Sequence, residues 1–183
     1  MKNLEKFIFL LLALIFSTYF SLFFHELGHY ISGLQLNCES FISISLNPFL
    51  TSMGGCTKPY FDSLTPTQKA YSALLGQIFT LALGSFSLLI LILKKKLDYK
   101  MYFLFFFLAM INFWVLFYNS AHAIFNSGLD WTNWDFDMVS AGYGINQTFF
   151  IIPSTIFLFI LVFLVSKFLR KYKIKLLLAP LQK

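Results

Sequence analysis

Charge is scarce in this chain: 12% of its 183 residues are Asp, Glu, Lys or Arg, about half the share of a typical soluble domain. So few charges cannot solvate the surface of a water-soluble fold of this size, which excludes a soluble enzyme and a disordered tail. Cysteine is scarce too. Two residues, Cys38 and Cys56, exclude a disulfide-dense scaffold and a four-cysteine zinc site. Histidine occurs three times, so any cluster of it demands a reason. No internal repeat or low-complexity array is present. What is abundant is apolar: 58% of the chain is hydrophobic and 25 residues are Phe, a composition suited to lipid rather than water.

The apolar residues gather into about four stretches, each long enough for the ~20 residues that cross a bilayer as a helix. They cover about 7–33, 68–93, 101–125 and 147–169. The fold expected is one integral membrane domain over 1–183, an all-α bundle of about four transmembrane helices. The first stretch follows Lys2 and Lys6, as a signal peptide's would. It is long, lacks a small-x-small cleavage site and runs straight into a polar motif, so it reads as a retained span. Segment 34–67 is too long for a plain connector. Phe41-Ile-Ser-Ile-Ser-Leu46 alternates in part with period two, and Asn47-Pro48 and Gly54-Gly55 are turn signals. A small β-hairpin after the first helix is expected there. Cys38 and Cys56 flank its strand, either as a disulfide, if the loop is extracytoplasmic, or as two buried thiols.

Basic residues set the orientation. Lys2 and Lys6 precede the first span, and Lys94, Lys95, Lys96 and Lys100 lie between the second and third. Lys167, Arg170, Lys171, Lys173 and Lys175 end or follow the fourth. Segment 126–147 has no Lys or Arg but holds Asp130, Asp135 and Asp137, and segment 34–66 has only Lys58. By the positive-inside rule both termini are cytoplasmic and the two low-charge segments face the other side. The net charge of +6 is thus a topology signal, and no nucleic-acid partner follows from it. The partner it implies is the bilayer itself, with tail 171–183 able to lie on anionic lipid.

At the end of the first span stands His25-Glu26-Leu27-Gly28-His29. On a helix, histidines four residues apart share a face, so both imidazoles can reach one metal. Glu26 stands where a carboxylate can take a proton from a metal-activated water. Ionisable groups beside a membrane span are costly, and three within five positions need a function. A catalytic zinc site takes a third protein ligand. The candidates are His122, Asp130, Asp135 and Asp137; Glu39, Asp62 and Asp98 remain, with Asp98 at the opposite face.

Over residues 21–141 the chain resembles the site-2-protease class of intramembrane zinc metalloproteases, in its small M50-like form. His25-Glu-Leu-Gly-His29 at a span end carries most of the likeness. Segment 34–66 is similar to the family's β-rich membrane-associated segment. Gly76-Gln77-Ile78-Phe79-Thr80 occupies the place of the family's G-P-x-x-N motif, with Gln for Pro and Thr for Asn. Asn112 and Asn119 have the offset of the family's N-x6-N-L-L-P, without its proline, and Leu129-Asp130-Trp131 resembles L-D-G with Trp for Gly.

The resemblance implies Zn²⁺ held by His25, His29 and one aspartate, with Glu26 as general base. Asp130 is preferred by the Leu-Asp match. Asp135 comes next, because it would stand in the first turn of a short helix ending near Gly142-Tyr143-Gly144, and Asp137 follows. His122 is read as a polar residue of the bundle, or as a group that binds substrate or supports a ligand. Asn112 and Asn119 either hold substrate and stabilise an oxyanion or hydrogen-bond helix to helix. The activity implied is hydrolysis of peptide bonds in a membrane-protein or peptide substrate: an anchored regulator, a signal-peptide remnant or a pheromone. The competing readings are an inactive metal-binding assembly protein and a small ion or metal transporter. Well-known bacterial members of the family carry the site toward the cytosol; the charge pattern here places it outward.

Overall fold

A computed structural model describes residues 2–44, 53–94, 96–125 and 135–172. Asp130, the Asn47-Pro48 turn and the tail from residue 173 lie outside the described residues. The chain is built of helices α1 (Lys2–Gln35), α2 (Lys58–Ser63), α3 (Pro66–Leu93), α4 (Tyr99–Phe125), α5 (Asp135–Tyr143) and α6 (Ile151–Tyr172). Strands β1 (Ser40–Ser43) and β2 (Met53–Cys56) form an antiparallel pair after α1. Four of the helices are long and apolar enough to cross a membrane, as expected for a multi-pass membrane protein. β1 covers the first part of the alternating run, whose Ser45 and Leu46 lie outside the described residues, and α2, with Pro59 in its first turn, adds a helix where none was expected.

Local chemistry fixes the ends of these elements. α1 stops because Asn37 takes a left-handed φ of 55°, a conformation Asn tolerates. Asn37 N–H then donates to Leu34 O at 3.2 Å and Cys38 N–H to Gly33 O at 3.1 Å, which satisfies carbonyls that the helix end would leave bare. α3 opens on a capping box in which Thr65 and Gln68 exchange hydrogen bonds, with Pro66 in the first turn. Asp98 caps α4 through Met101 N–H at 2.8 Å. α5 closes at Gly144, with a φ of 65°, after which Ile145 N–H returns to Ser140 O at 3.0 Å.

The bundle core is α1, α3 and α4, with α6 packed on α4. Its surface is apolar where lipid would lie: Phe7, Leu12, Phe86, Leu93, Phe159 and Val162 are all exposed. Its interior divides in two. At the basic end, Leu91, Tyr102, Phe103, Phe106, Phe157 and Leu164 form an aromatic core. At the other end, Ala73, Ala123, Phe136, Val139 and Phe150 hold α5 against α3 and α4. Between α1 and α3 small residues replace large ones, and a Cβ added at Gly28 would stand 2.5 Å from Leu75 O and 2.8 Å from the Gly76 Cα. Backbones this close gain packing and require glycine.

The hairpin folds back over the end of α1. Cys38 and Cys56 form a disulfide, the first of the two alternatives left by the sequence. It ties the residue after the α1 cap to the end of β2. A Cβ on Gly54 would meet Glu26 O at 2.5 Å, and Gly55, with a φ of 109°, lies against His29. The close packing at Gly28 gives a prediction. Gly28→Ala is expected to destabilise the bundle by about 1–3 kcal/mol through overpacking, read as a lower Tm in detergent. A variant that melts with the wild type would contradict the contact.

Candidate metal centre

His25 and His29 sit on one face of α1 and turn their Nε2 atoms toward each other, 3.1 Å apart. Asp135, in the first turn of α5, brings Oδ2 to 3.1 Å from His25 Nε2 and 3.6 Å from His29 Nε2. These three are the described residues whose donor atoms gather tightly enough to hold a metal ion, all within 4.8 Å of one another.

The hydrogen bonds behind the imidazoles fix their tautomers. His29 Nδ1 lies 2.9 Å from the carbonyl of Ser72, which can only accept, so Nδ1 carries the proton. His25 Nδ1 lies 2.9 Å from Thr80 Oγ1. Thr80 spends its own proton on Gly76 O at 3.0 Å, so its oxygen accepts and His25 Nδ1 donates. In their neutral forms both rings therefore present an Nε2 lone pair inward. Two lone pairs and a carboxylate oxygen facing one point repel unless a proton or a metal ion lies among them.

The donor set suits such a cation. Ligands about 2.0–2.1 Å from a tetrahedral zinc stand roughly 3.3 Å from one another, close to the separations seen here. Nδ1–H donated outward to a carbonyl or hydroxyl is the usual support of a metal-bound imidazole. Space is reserved as well: a Cβ on Gly76 would clash with the His29 ring.

Asp135 is held as an anion. Burial alone would raise its carboxyl, but His29 and His25, when protonated, offer it positive charge and Nε2–H donors that outweigh burial, and it lies well below the usual carboxylate range. Gln77 Nε2 donates to the same Oδ2 at 2.6 Å and fixes its direction. Asp137 differs. Burial pushes its carboxyl up, against the opposing effect of His122. Asp137 pairs with His122 Nδ1 at 3.3 Å and is not among the gathered donors.

Glu26 is buried, next to both histidines, and accepts a hydrogen bond from the Gly54 backbone N–H. A Cβ on Gly54 would stand 2.9 Å from Glu26 Oε2, so β2 lies directly against this carboxylate. Asn112 donates to Ser21 Oγ at 2.8 Å and to Leu108 O at 2.7 Å, which is the helix-to-helix role of its two alternatives. Asn119 is buried on α4, one turn before His122.

Sequence reasoning missed Ser72, Gln77 and Thr80 as supports of the centre. The signal lay in Gly76-Gln77-Ile78-Phe79-Thr80: Gly76 makes room for His29, Gln77 aims Asp135 and Thr80 orients His25. No family model, no curated protein and no solved structure matches this chain.

If Thr80 fixes the His25 tautomer, Thr80→Val should weaken metal affinity by about 10–100-fold while the fold melts normally. Asp135→Ala should lose the metal altogether, and Asp137→Ala, which removes the carboxylate paired with His122 instead, should retain it. Metal per chain, measured on purified protein with a competing chelator, checks all three. Retention by Asp135→Ala would remove that residue from the ligand set.

Proposed function

We propose that this protein is an intramembrane zinc metalloprotease of the site-2-protease type, hydrolysing peptide bonds of membrane-associated substrates. The observation that carries the reading is the convergence of His25, His29 and Asp135 with the carboxylate of Glu26 beside them. Bound zinc would supply Lewis acidity, activating water and polarising the scissile carbonyl. Glu26 takes the proton of the attacking water and passes it to the leaving amine. Asp135 contributes the negative charge of the ligand set, and Gln77 keeps its oxygen in place. Ser72 and Thr80 hold the imidazoles in their ligand tautomers. Asn119, buried on α4 at this end of the bundle, is the asparagine left for a substrate contact.

The retained base favours proteolysis over a structural metal site, which needs no carboxylate in Glu26's place. A separate observation supports an outward-facing site. Disulfides persist outside the cytosol, and Cys38–Cys56 lies at the metal end of the bundle. The basic residues Lys6, Lys94, Lys100, Lys167 and Arg170 end or open helices at the opposite end, where the positive-inside rule puts the cytoplasm. The substrate class is then a membrane-anchored protein or peptide whose cleaved segment lies near the extracytoplasmic surface.

Glu26→Gln is expected to keep one zinc per chain and to lose turnover by about a hundred- to ten-thousand-fold. Wild-type turnover in that variant would end the proteolytic reading. For orientation, reduced Cys38 and Cys56 should react with an impermeant maleimide added outside intact cells. Labelling from the cytosol alone would invert the topology while leaving the chemistry untouched.

A further inference from the structure

A polar seam runs from the metal centre into the apolar bundle. α1 and α3 are antiparallel and in register: Ser32 meets Ser72, Gly28 meets Gly76, and His25 meets Thr80. The same register, carried toward the N-terminus of α1, sets Ser21 level with Gly84 and Ser17 level with Ser87. Asn112 of α4 enters at the Ser21 level, donating to Ser21 Oγ at 2.8 Å with its Cβ against Gly84. Ser17 lies about 12 Å along α1 from His25. One step further the pair is Ala13 and Leu91, both buried and apolar, and the aromatic core begins.

Ser17 Oγ, Ser87 Oγ and Asn112 Oδ1 are fully buried and, among the described residues, have no hydrogen-bond partner. Unpaired polar atoms are expensive in a membrane interior. Three of them, from three helices and at adjacent levels, require a ligand. That ligand must be small, because the helices are closely packed at Gly84. It must be neutral, because the seam residues between Ser17 and Ser21 on α1 and Gly84 and Ser87 on α3 carry no carboxylate, and an uncompensated buried charge is far costlier than a dipole. It must donate to the amide oxygen of Asn112, which only accepts, and can exchange bonds with the two hydroxyls. Water meets every requirement.

We propose that the seam binds a file of water molecules that joins the metal centre at His25 and Thr80 and ends at Ser17 and Ser87. On the proteolytic reading, the file keeps the centre hydrated while substrate covers its outer side. The hydration itself does not depend on that reading.

The two native cysteines are paired, so a single new thiol reports without further engineering. Ser87→Cys and Ser17→Cys, in the full chain in detergent with the disulfide intact, are exposed to silver ion. Protection of the thiol from maleimide after denaturation is then timed. Leu89→Cys, on the lipid-facing side of α3, is the dry reference. The seam thiols should be protected at least tenfold faster than the reference. Adding Asn112→Leu should slow Ser87→Cys at least fivefold, because the bulk closes the path from the metal end. Rates equal to the reference at both serines overturn the proposal, as does a Ser87→Cys rate indifferent to Asn112→Leu. The serines lie on different helices, so loss of one variant to misfolding leaves the other, and the melting temperature of each in detergent shows that it folded. Since the readout is thiol protection, a dry seam and an inactive protease give different results.

Discussion

Two imidazole lone pairs and a carboxylate point at one another inside an apolar bundle, and the rest of the site is arranged to keep them there. Left alone they would repel, and rotating a ring would relieve the strain. Ser72 and Thr80 forbid the rotation by accepting the Nδ1 protons, and both belong to α3. The inward aim of the two histidines of α1 is therefore a property of the α1–α3 contact. That contact in turn rests on Gly28 and Gly76, where any side chain would push the helices apart. Glycine is chosen here for approach rather than for backbone freedom, since both residues lie inside helices.

The third donor arrives by another route. α5 is a nine-residue helix, too short to be stable by itself in water. Phe136 and Val139 anchor it in the cluster with Ala73, Ala123 and Phe150, and Gly142 allows it to lie against Pro66 and Ala70. Asp135 and Asp137, two positions apart, then point in different directions. One meets the histidines of α1 and is held as an anion; the other meets His122 of α4, yet burial outweighs that partner and pushes it toward its neutral form. The same residue type thus acquires two characters from its surroundings.

How much of this was legible in the sequence follows from the range of each interaction. The spans could be read because lipid imposes a length and a composition on every segment that crosses it. The pairing of His25 with His29 could be read because a four-residue helical spacing places both on one face. Asp135 could only be ranked among neighbours, because its place depends on how α5 docks, 106 positions from His29. The supports were illegible for a further reason. A glutamine or threonine on a buried helix face looks like any other polar packing residue until the group it bonds is known. The disulfide stood as one of two alternatives because spacing cannot fix pairing; it took the hairpin, folded onto α1, to bring the sulfurs together.

The proposed orientation rests on two causes that are physically unrelated. Disulfide persistence reflects the redox state of a compartment, whereas the distribution of Lys and Arg reflects the cost of moving cations through the membrane during insertion. Their agreement about which end of the bundle faces outward is stronger than either, because no single error produces both. The hairpin adds a functional consequence: Cys56 ends the strand whose Gly54 holds Glu26. In the proposed orientation, the bond that favours the oxidising side thus also braces the proposed general base. An extracytoplasmic site of this design would have its catalytic carboxylate positioned by chemistry available only on the side where it works.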